Sequence, residues 1–372
     1  MKRLDALLLI IFLSLHRMFL FAQTITVVEY HPAPGQFVNL MPEITDDMKH
    51  DDACRLATEC INDEGLIHLG GYGGYATFQL DAAVQNKRGS DFRIYGNADC
   101  SVKSILRGVE TVGGSVEPGI VFVGVGTELA TAQWYELAGS EYYTTQIHDF
   151  AVTYYRPDAE EGSHNMPNSL YDDYIRWEVS WTDRDGVQCD STGYMPKLSF
   201  HNQSYWPLFE HQDELSFIGG CLPTNALDLS GNGTNYLLCR YGMNSYGYAD
   251  AASNKSDYST FDIDWAVNDR GEHVDIKEIN FVRVVCGIFQ SCGWLGETST
   301  EVGRIEDLHL ISGYDENPII LNSELLHPAP PQDEADEAVN EKSEPYYDIS
   351  GRRVTKPLRG LYIHNGKLVT VR

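Results

Sequence analysis

The clearest alternation of apolar and polar positions lies between residues 65 and 140, where short runs are separated by Gly, Asn, Asp and Pro. In the run YATFQL an extended chain would place two sets of side chains on opposite faces, namely Tyr75, Thr77 and Gln79 against Ala76, Phe78 and Leu80. A period of two with β-branched and aromatic residues predicts a strand. The preceding run GGYGG, at residues 70–74, predicts a turn or the close approach of another backbone.

Further short runs rich in aromatic and β-branched residues predict strands along most of the chain: Ile147–Tyr155, Ile175–Thr182, Leu215–Ile218, Tyr236–Tyr241, Phe261–Val267, Phe281–Val285 and Arg304–Ile311. Helical spacing of apolar residues is found at Asp51–Ile61. We therefore expect an all-β fold, a two-sheet antiparallel β-sandwich of jelly-roll type, with one short N-terminal helix. Long loops are expected at Arg156–Tyr174, Asp183–Gln212 and Gly219–Asn235, and loops of that length often carry function.

The two ends of the chain differ from this pattern. Residues 1–22 combine a basic start with a short apolar centre, which predicts a signal peptide followed by a domain at 23–327. Residues 328–345 are rich in Pro and acidic side chains and predict a linker. Residues 346–372 end in two apolar runs around Asn365-Gly366, which predicts a hairpin.

Charge narrows the class of partner. The chain carries 54 acidic against 27 basic residues, a formal net charge of −27, which disfavours binding to a nucleic-acid backbone. An acidic surface suits an exported protein and is compatible with divalent cation sites. Eight cysteines could be oxidised outside the cell, with Cys286–Cys292 the most plausible bridge and buried thiols the alternative.

The densest polar region runs from Asp250 to Asp269. Its carboxylate and amide oxygens suit calcium, and the candidate ligands are Asp250, Asp262, Asp264 and Asn268. Their spacing is not that of an EF-hand. The alternative is a row of carboxylates that simply faces solvent, because the acidic and apolar residues alternate here.

Aromatic residues in predicted loops are the second candidate feature. Flat rings with a polar tip suit contact with a sugar face or a large planar ligand, and the candidates are Tyr205, Trp206, Tyr246 and Tyr248. Four tryptophans on predicted strands are expected in the core: Trp134, Trp177, Trp181 and Trp265. The sequence contains no nucleophile elbow, zinc-protease or phosphate-loop motif, so we expect a protein that is not an enzyme.

Several stretches resemble a family of Bacteroidetes-type cell-surface proteins with jelly-roll or discoidin-like β-sandwich modules. They are GGYGGYATFQLD, DFRIYGNAD, VEPGIVFVGV, WYELAGSEY, GYAD at Gly247–Asp250, FDIDWAVNDRGEHV at Phe261–Val274, INFVRVV at Ile279–Val285 and CGWLGETSTEV at Cys292–Val302. The resemblance covers roughly residues 25–315. The C-terminal stretches Tyr347–Val354 and Gly360–Val371 resemble a short sorting signal of the type IX secretion route, for which a hairpin with no sorting role is the alternative.

The resemblance implies the fold and a place at the bacterial cell surface, to which an exported protein is held or from which it is released. Our functional hypothesis is that loops at one end of the jelly roll capture an extracellular ligand without turnover. The resemblance implies glycans as ligands, or a corrinoid-like nutrient with outer-membrane uptake components as partners. Two other classes stay open. A β-sandwich glycoside hydrolase or lyase predicts paired acidic residues in a cleft, and a structural or adhesive surface protein predicts a flat face with a protein partner.

Overall fold

The computed structural model describes residues 24–157, 164–165, 171–198, 201–311 and 314, and the strand residues 346–347, 353–354, 360–364 and 367–371. The predicted signal peptide and linker lie outside the described residues. The chain divides into two compact units, Met1–Pro328 and Ala329–Arg372.

Antiparallel strands build the described part of the first unit. One α-helix, α1 at His50–Asn62, accompanies them. The strands are Ile25–His31 (β1), Ile67–His68 (β2), Tyr75–Gln85 (β3), Phe92–Ile94 (β4), Asp99–Leu106 (β5), Val109–Ser115 (β6), Gly119–Val125 (β7), Gln133–Leu137 (β8), Ile147–Tyr155 (β9), His164–Asn165 (β10), Tyr171–Thr182 (β11), Gln188–Leu198 (β12), Glu214–Cys221 (β13), Ala226–Asp228 (β14), Tyr236–Cys239 (β15), Tyr248–Ala249 (β16), Thr260–Phe261 (β17), Ala266–Val267 (β18), Glu278–Cys286 (β19), Glu301–Val302 (β20) and Ile305–Asp307 (β21). The expected all-β, sandwich-like fold with one helix is confirmed.

The largest sheet has the order β1-β3-β19-β7-β8-β18, and β16 pairs with β7. One of its faces packs on the main core, where Phe78 and Val282 are paired neighbours. Helix α1 covers this face and buries Ala57 and Ile61 in the same cluster. The alternation of β3 is thereby confirmed, since its even-numbered positions 76, 78 and 80 are buried.

A second sheet has the order β10-β11-β9-β13, with β12 paired to β11. It covers its own core, which includes Phe150, Tyr154 and Ile175. Strand β12 lies in a segment expected to be a long loop. The reason is its low burial: only Met195 and Leu198 are buried in this strand, so the sequence lacks the apolar alternation that predicts a strand.

The GGYGG segment leads into β3 of the largest sheet and also contacts the second sheet. Gly70 and Gly73 have φ angles of 72° and 87°, which L side chains rarely adopt. A Cβ on Gly70 would lie 1.8 Å from the carbonyl oxygen of Ala33, so the expected turn and close backbone approach are both confirmed. Between the glycines, the Tyr72 hydroxyl donates to the carbonyl of Phe150 at 3.1 Å and anchors the segment to the second sheet.

Smaller sheets complete the first unit, in the orders β14-β15-β6-β5, β17-β4-β21 and β2-β20. The single strand expected at Phe261–Val267 is instead β17, a 3₁₀ turn at Ile263–Trp265, and β18. Cys286 and Cys292 are buried free thiols, and both contact Thr298 at 3.7 Å, so the expected bridge between them is not formed. No helix in the described ranges is long and apolar enough to span a membrane.

The second unit contains the strands Tyr346–Tyr347 (β22), Arg353–Val354 (β23), Gly360–His364 (β24) and Lys367–Val371 (β25). Strands β24 and β25 pair antiparallel, with His364 opposite Lys367. This pairing is the hairpin that the Asn365-Gly366 dipeptide predicts.

Candidate functional site

The loop pair Tyr205 and Trp206 does not lie on the surface. Their exposed fractions are 0% and 2%, and both belong to the core under the second sheet. The Trp206 indole N–H donates to the carbonyl of Glu210 at 3.1 Å, and the Tyr205 hydroxyl shares a hydrogen bond with His201 at 2.7 Å. The segment folds over the second core and fills it, so these rings are corrected from ligand contacts to core residues.

Tyr246 and Tyr248 are also buried, at 8% and 2% exposure. The Tyr246 ring lies 5.0 Å from the Trp265 ring, and Trp265 is buried as expected. The Tyr248 hydroxyl accepts the backbone N–H of Glu141 at 2.8 Å. Neither ring offers a face to a ligand in this structure.

The four expected metal ligands are not brought together. Asp262 accepts the backbone N–H of Asp264, as the cap of the 3₁₀ turn. Asp264 accepts from the Asn86 amide at 2.8 Å, and Asn268 accepts the backbone N–H of Arg270 at 2.9 Å. Asp262 and Asn268 thus close local turns, and Asp264 accepts from a distant segment. Among the described residues, Asp250 alone of the four belongs to a group of three carboxylates close enough to share a metal ion.

That group, the carboxylate cluster, consists of Glu117, Asp250 and Glu301. One oxygen from each lies within 4.8 Å of the others. Asp250 has a φ of 51°, and its Oδ1 accepts the backbone N–H groups of Asn97 and Ala98, each at 2.8 Å. The three members come from segments far apart in the sequence, so spacing alone does not reveal the cluster.

A buried histidine, His68, contacts one member of the cluster, Glu301. His68 Nε2 lies 2.8 Å from Glu301 Oε1, and His68 Nδ1 lies 2.9 Å from the hydroxyl of Ser299. The other oxygen, Glu301 Oε2, is buried and has no hydrogen-bond partner. Of the three carboxyl groups, Glu301 is therefore the one that contacts the His68 ring.

Three neighbouring carboxyl groups call for protons or a cation to balance their charge. Burial, together with the nearby Glu301, raises the pKa of Glu117 and of Asp250 well above their usual values. Calcium takes six to eight oxygens. Both oxygens of Asp250 already accept backbone N–H groups, so the cluster supplies three carboxylate ligands and less than a full shell. The residues therefore fit shared protons more completely than they fit calcium.

A different polar group lies on the open face of the largest sheet. The strand register places Thr77 beside Arg283, with Glu29 beyond Thr77 and Phe122 beyond Arg283. Arg283 donates from Nε to Thr77 Oγ1 at 2.8 Å and from Nη2 to Glu29 Oε2 at 2.7 Å. The Arg283 and Glu29 side chains are 25% and 24% exposed, so the pair is accessible.

Aromatic rings flank this arginine. Its guanidinium carbon lies 4.2 Å from the centre of the Trp134 ring and 5.0 Å from that of Tyr75. Trp134 is half-buried on this open face, which corrects its expected place in the core. Burial disfavours ionisation of Glu29, but the hydrogen bond from Thr77 and the charge of Arg283 outweigh it and lower the pKa of Glu29.

Next to Arg283 lies a cavity of about 280 Å³, which we call the sheet-face hollow. Its lining includes Tyr72, Tyr75, Phe122, Phe217, Ile218 and Arg283. Ile218 stands at its edge and is 78% exposed. The described lining residues include no carboxylate. The sequence signal that could have found this site is the alternation that puts Tyr75 and Thr77 on the non-core face of β3.

Fold and site together define an all-β, sandwich-like protein. Its largest sheet has the sheet-face hollow and an arginine, Arg283, that hydrogen bonds hold in place. No protein-family model matches the chain, and no curated protein matches it either.

Proposed function

We propose that this is an exported binding protein that captures an extracellular glycan in the sheet-face hollow and does not turn it over. The observation that carries the proposal is Arg283, held between Trp134 and Tyr75 at the wall of an open aromatic cavity. The bacterial cell surface, the signal peptide at 1–22 and the sorting-like tail at 346–372 remain parts of the same proposal.

The chemistry of this site suits a sugar. The C–H face of a sugar ring packs on aromatic rings, and its hydroxyl groups need donors and acceptors fixed in direction. A guanidinium carries five N–H donors in a rigid plane. Thr77 and Glu29 fix that plane through Nε and Nη2, which leaves donors directed elsewhere for a ligand.

Size separates the two ligand classes that the residue types leave open. Pockets for drug-sized ligands usually measure about 300–1,000 Å³. The sheet-face hollow, at about 280 Å³, lies just below that range. It accommodates one or two sugar units and is small for a corrinoid macrocycle, so the proposal takes a glycan as the ligand.

The spacing of the two carboxylates in the same cross-strand row as Arg283 favours binding over turnover. Glu29 on β1 and Glu136 on β8 are separated by four strand-to-strand steps. At about 4.8 Å a step the backbones of these two residues lie about 19 Å apart, and Glu29 is paired with Arg283. Glycosidases hold their two carboxyl groups about 5–10 Å apart. The glycoside hydrolase or lyase class has less support on this face for that reason.

An adhesive or structural surface protein is the remaining class. It predicts a flat polar face, whereas this face has a hollow lined by aromatic rings. Outer-membrane uptake components remain proposed partners on the strength of the sequence resemblance alone.

A glycan microarray with the full chain tests the proposal. We expect one group of related glycans to bind, with Arg283→Ala weakening binding at least tenfold. Arg176→Ala is the matched control, because Arg176 also lies over a tyrosine, Tyr155, and pairs with a glutamate, Glu178, but on the second sheet. Equal losses in both variants, or no bound glycan, would contradict the proposal. Release of shortened glycans, detected by mass spectrometry, would favour the enzyme class.

A further inference from the structure

A second, smaller cavity also borders the GGYGG segment. Tyr72 lines both cavities, while Gly71 lines this one and Gly73 lines the sheet-face hollow. Its volume is about 100 Å³. Aromatic side chains form much of its wall, including Tyr72, Tyr154, Trp177 and Phe289, and one acidic side chain, Glu297, joins them. We call this space the Glu297 cavity.

One oxygen of the Glu297 carboxyl group accepts a hydrogen bond, and the other has no hydrogen-bond partner. Glu297 is 5% exposed, and its Oε1 accepts the backbone N–H of Gln36 at 2.6 Å. The Gln36 amide also donates to the carbonyl oxygens of Leu295 and Glu297, at 2.6 Å and 3.3 Å. Oε2 is buried with no hydrogen-bond partner, and no ion pair to Glu297 is formed among the described residues.

The wall and the carboxyl group select the same kind of ligand. The faces of aromatic rings carry negative partial charge and attract cations, most strongly where water is excluded. A buried carboxylate without a partner is costly, and a cation beside it removes that cost. We propose that the Glu297 cavity binds the head group of a methylated ammonium compound.

The size of the cavity agrees with this ligand. An engineered cavity of about 150 Å³ in another protein accepts benzene, which has six heavy atoms. A space of about 100 Å³ suits a head group of four or five heavy atoms, such as trimethylammonium or tetramethylammonium. The same head group occurs in free choline and in trimethylated lysine of a peptide, so the probes below separate these two sources.

Binding should release a proton. Burial raises the pKa of Glu297 to about 8, and the charge of Glu301 acts in the same direction. The nearby phenols of Tyr72 and Tyr154 have raised pKa values and stay neutral near pH 7. A carboxyl group with a pKa of about 8 is roughly nine-tenths protonated at pH 7 and must ionise to pair with the cation. Tetramethylammonium does not titrate, so the proton comes from the protein.

Isothermal titration of the full chain with tetramethylammonium at pH 7, in two buffers of different ionisation enthalpy, tests the inference. We expect binding with release of about 0.9 proton, and affinity nearly tenfold higher at pH 7 than at pH 6. The neutral isostere 3,3-dimethylbutan-1-ol should bind at least tenfold more weakly than choline. Choline and trimethyllysine peptides then show whether the cavity accepts a free or a peptide-borne head group.

Glu297→Gln keeps an acceptor for the Gln36 N–H and removes the charge, so it should lose at least tenfold in affinity. Asp91→Asn is the matched control, because Asp91 is also fully buried with a pKa raised to about 8 but does not line the cavity. No binding of tetramethylammonium, equal binding of the neutral isostere, or undiminished binding by a folded Glu297→Gln would overturn the inference. If Glu297→Gln does not fold, the inference is tested by the native chain alone, through the proton release measured when tetramethylammonium binds. Arg283→Ala should leave tetramethylammonium binding unchanged, because Arg283 does not line the Glu297 cavity. A failure of the glycan proposal can therefore be told apart from a failure of this inference.

Discussion

The segment around Tyr205 and Trp206 and the open face around Tyr75 and Trp134 combine the same kinds of residue in opposite ways. In the first, the rings are buried and their polar tips bond to protein atoms. In the second, the rings flank Arg283 beside an open cavity. The difference teaches that in this chain an irregular segment fills a core, while regular strands leave aromatic rings beside an open cavity.

The largest expected effect is on stability. Trp206→Ala empties a fully buried site in the second core, so we expect the free energy of unfolding to fall by about 3–5 kcal/mol. Trp134→Ala, on the open face, should cost about 1 kcal/mol or less. Urea unfolding of both variants measures the two values. Similar costs would break the distinction between the two regions.

The next effect concerns carboxyl groups whose pKa is raised by burial. The open face contributes one of them, Glu136, with a pKa raised to about 7, and the others lie elsewhere. Glu117 and Asp250 have pKa values raised in the folded protein, and that of Asp91 is raised to about 8. A raised folded-state pKa means that the native state holds protons the unfolded state has lost. Stability is therefore fully present below about pH 4, the unfolded pKa, and falls as the pH rises towards 8.

Thermal unfolding between pH 5 and pH 8 checks this. We expect Tm to fall by several degrees, since 1 kcal/mol corresponds to roughly 2–4 °C in a domain of about this size. Glu117→Gln should flatten the dependence, whereas Glu110→Gln, at an exposed position, should leave it unchanged. A Tm that rises between pH 5 and pH 8 would show that the cluster is not held by protons.

Substitution of Arg283 separates affinity from stability. Arg283→Lys keeps the charge but loses the flat donor plane, so we expect it to weaken glycan binding about tenfold, or about 1.4 kcal/mol. The Glu29–Arg283 pair is partly exposed, so the unfolding free energy should change by about 1 kcal/mol or less. Titration calorimetry and urea unfolding of the same preparations test this. Full affinity in Arg283→Lys would mean that charge alone binds the ligand.

Calcium removal should have the smallest effect. Protons occupy the carboxylate cluster at low pH and its oxygens fall short of a calcium shell, so we expect chelation to shift Tm by about 1 °C or less at pH 6. Calcium itself stays a prediction from the sequence. A large loss on chelation at pH 8 that Glu301→Gln removes would place a cation in the cluster.

The sequence predicted what depends on local pattern. The helix, the hairpin strands β24 and β25, and the alternation of β3 all follow from spacing within one segment. Strand β12 was not predicted, because only Met195 and Leu198 of its side chains are buried. The local pattern thus predicts many of the helices and strands, but it does not predict how exposed their side chains are in the folded chain.

The site depended on long-range register and burial, which the sequence does not show. Arg283 and Thr77 stand on strands that are both recognisable, yet the pairing of those strands sets them side by side. Glu117 and Glu301 meet Asp250 only because three distant segments converge. Trp206 was expected at a surface, since nothing local indicates that its loop fills a core.

Photochemical oxidation of the full chain, read by mass spectrometry with and without a glycan found on the array, tests the central claim most directly. We predict that Trp134 and Tyr75 are oxidised in the free protein and protected by the glycan, while Trp206 and Tyr205 are hardly oxidised in either state. Glycan protection of Trp206 and Tyr205, with Trp134 unchanged, would contradict the account and return the binding site to the loop.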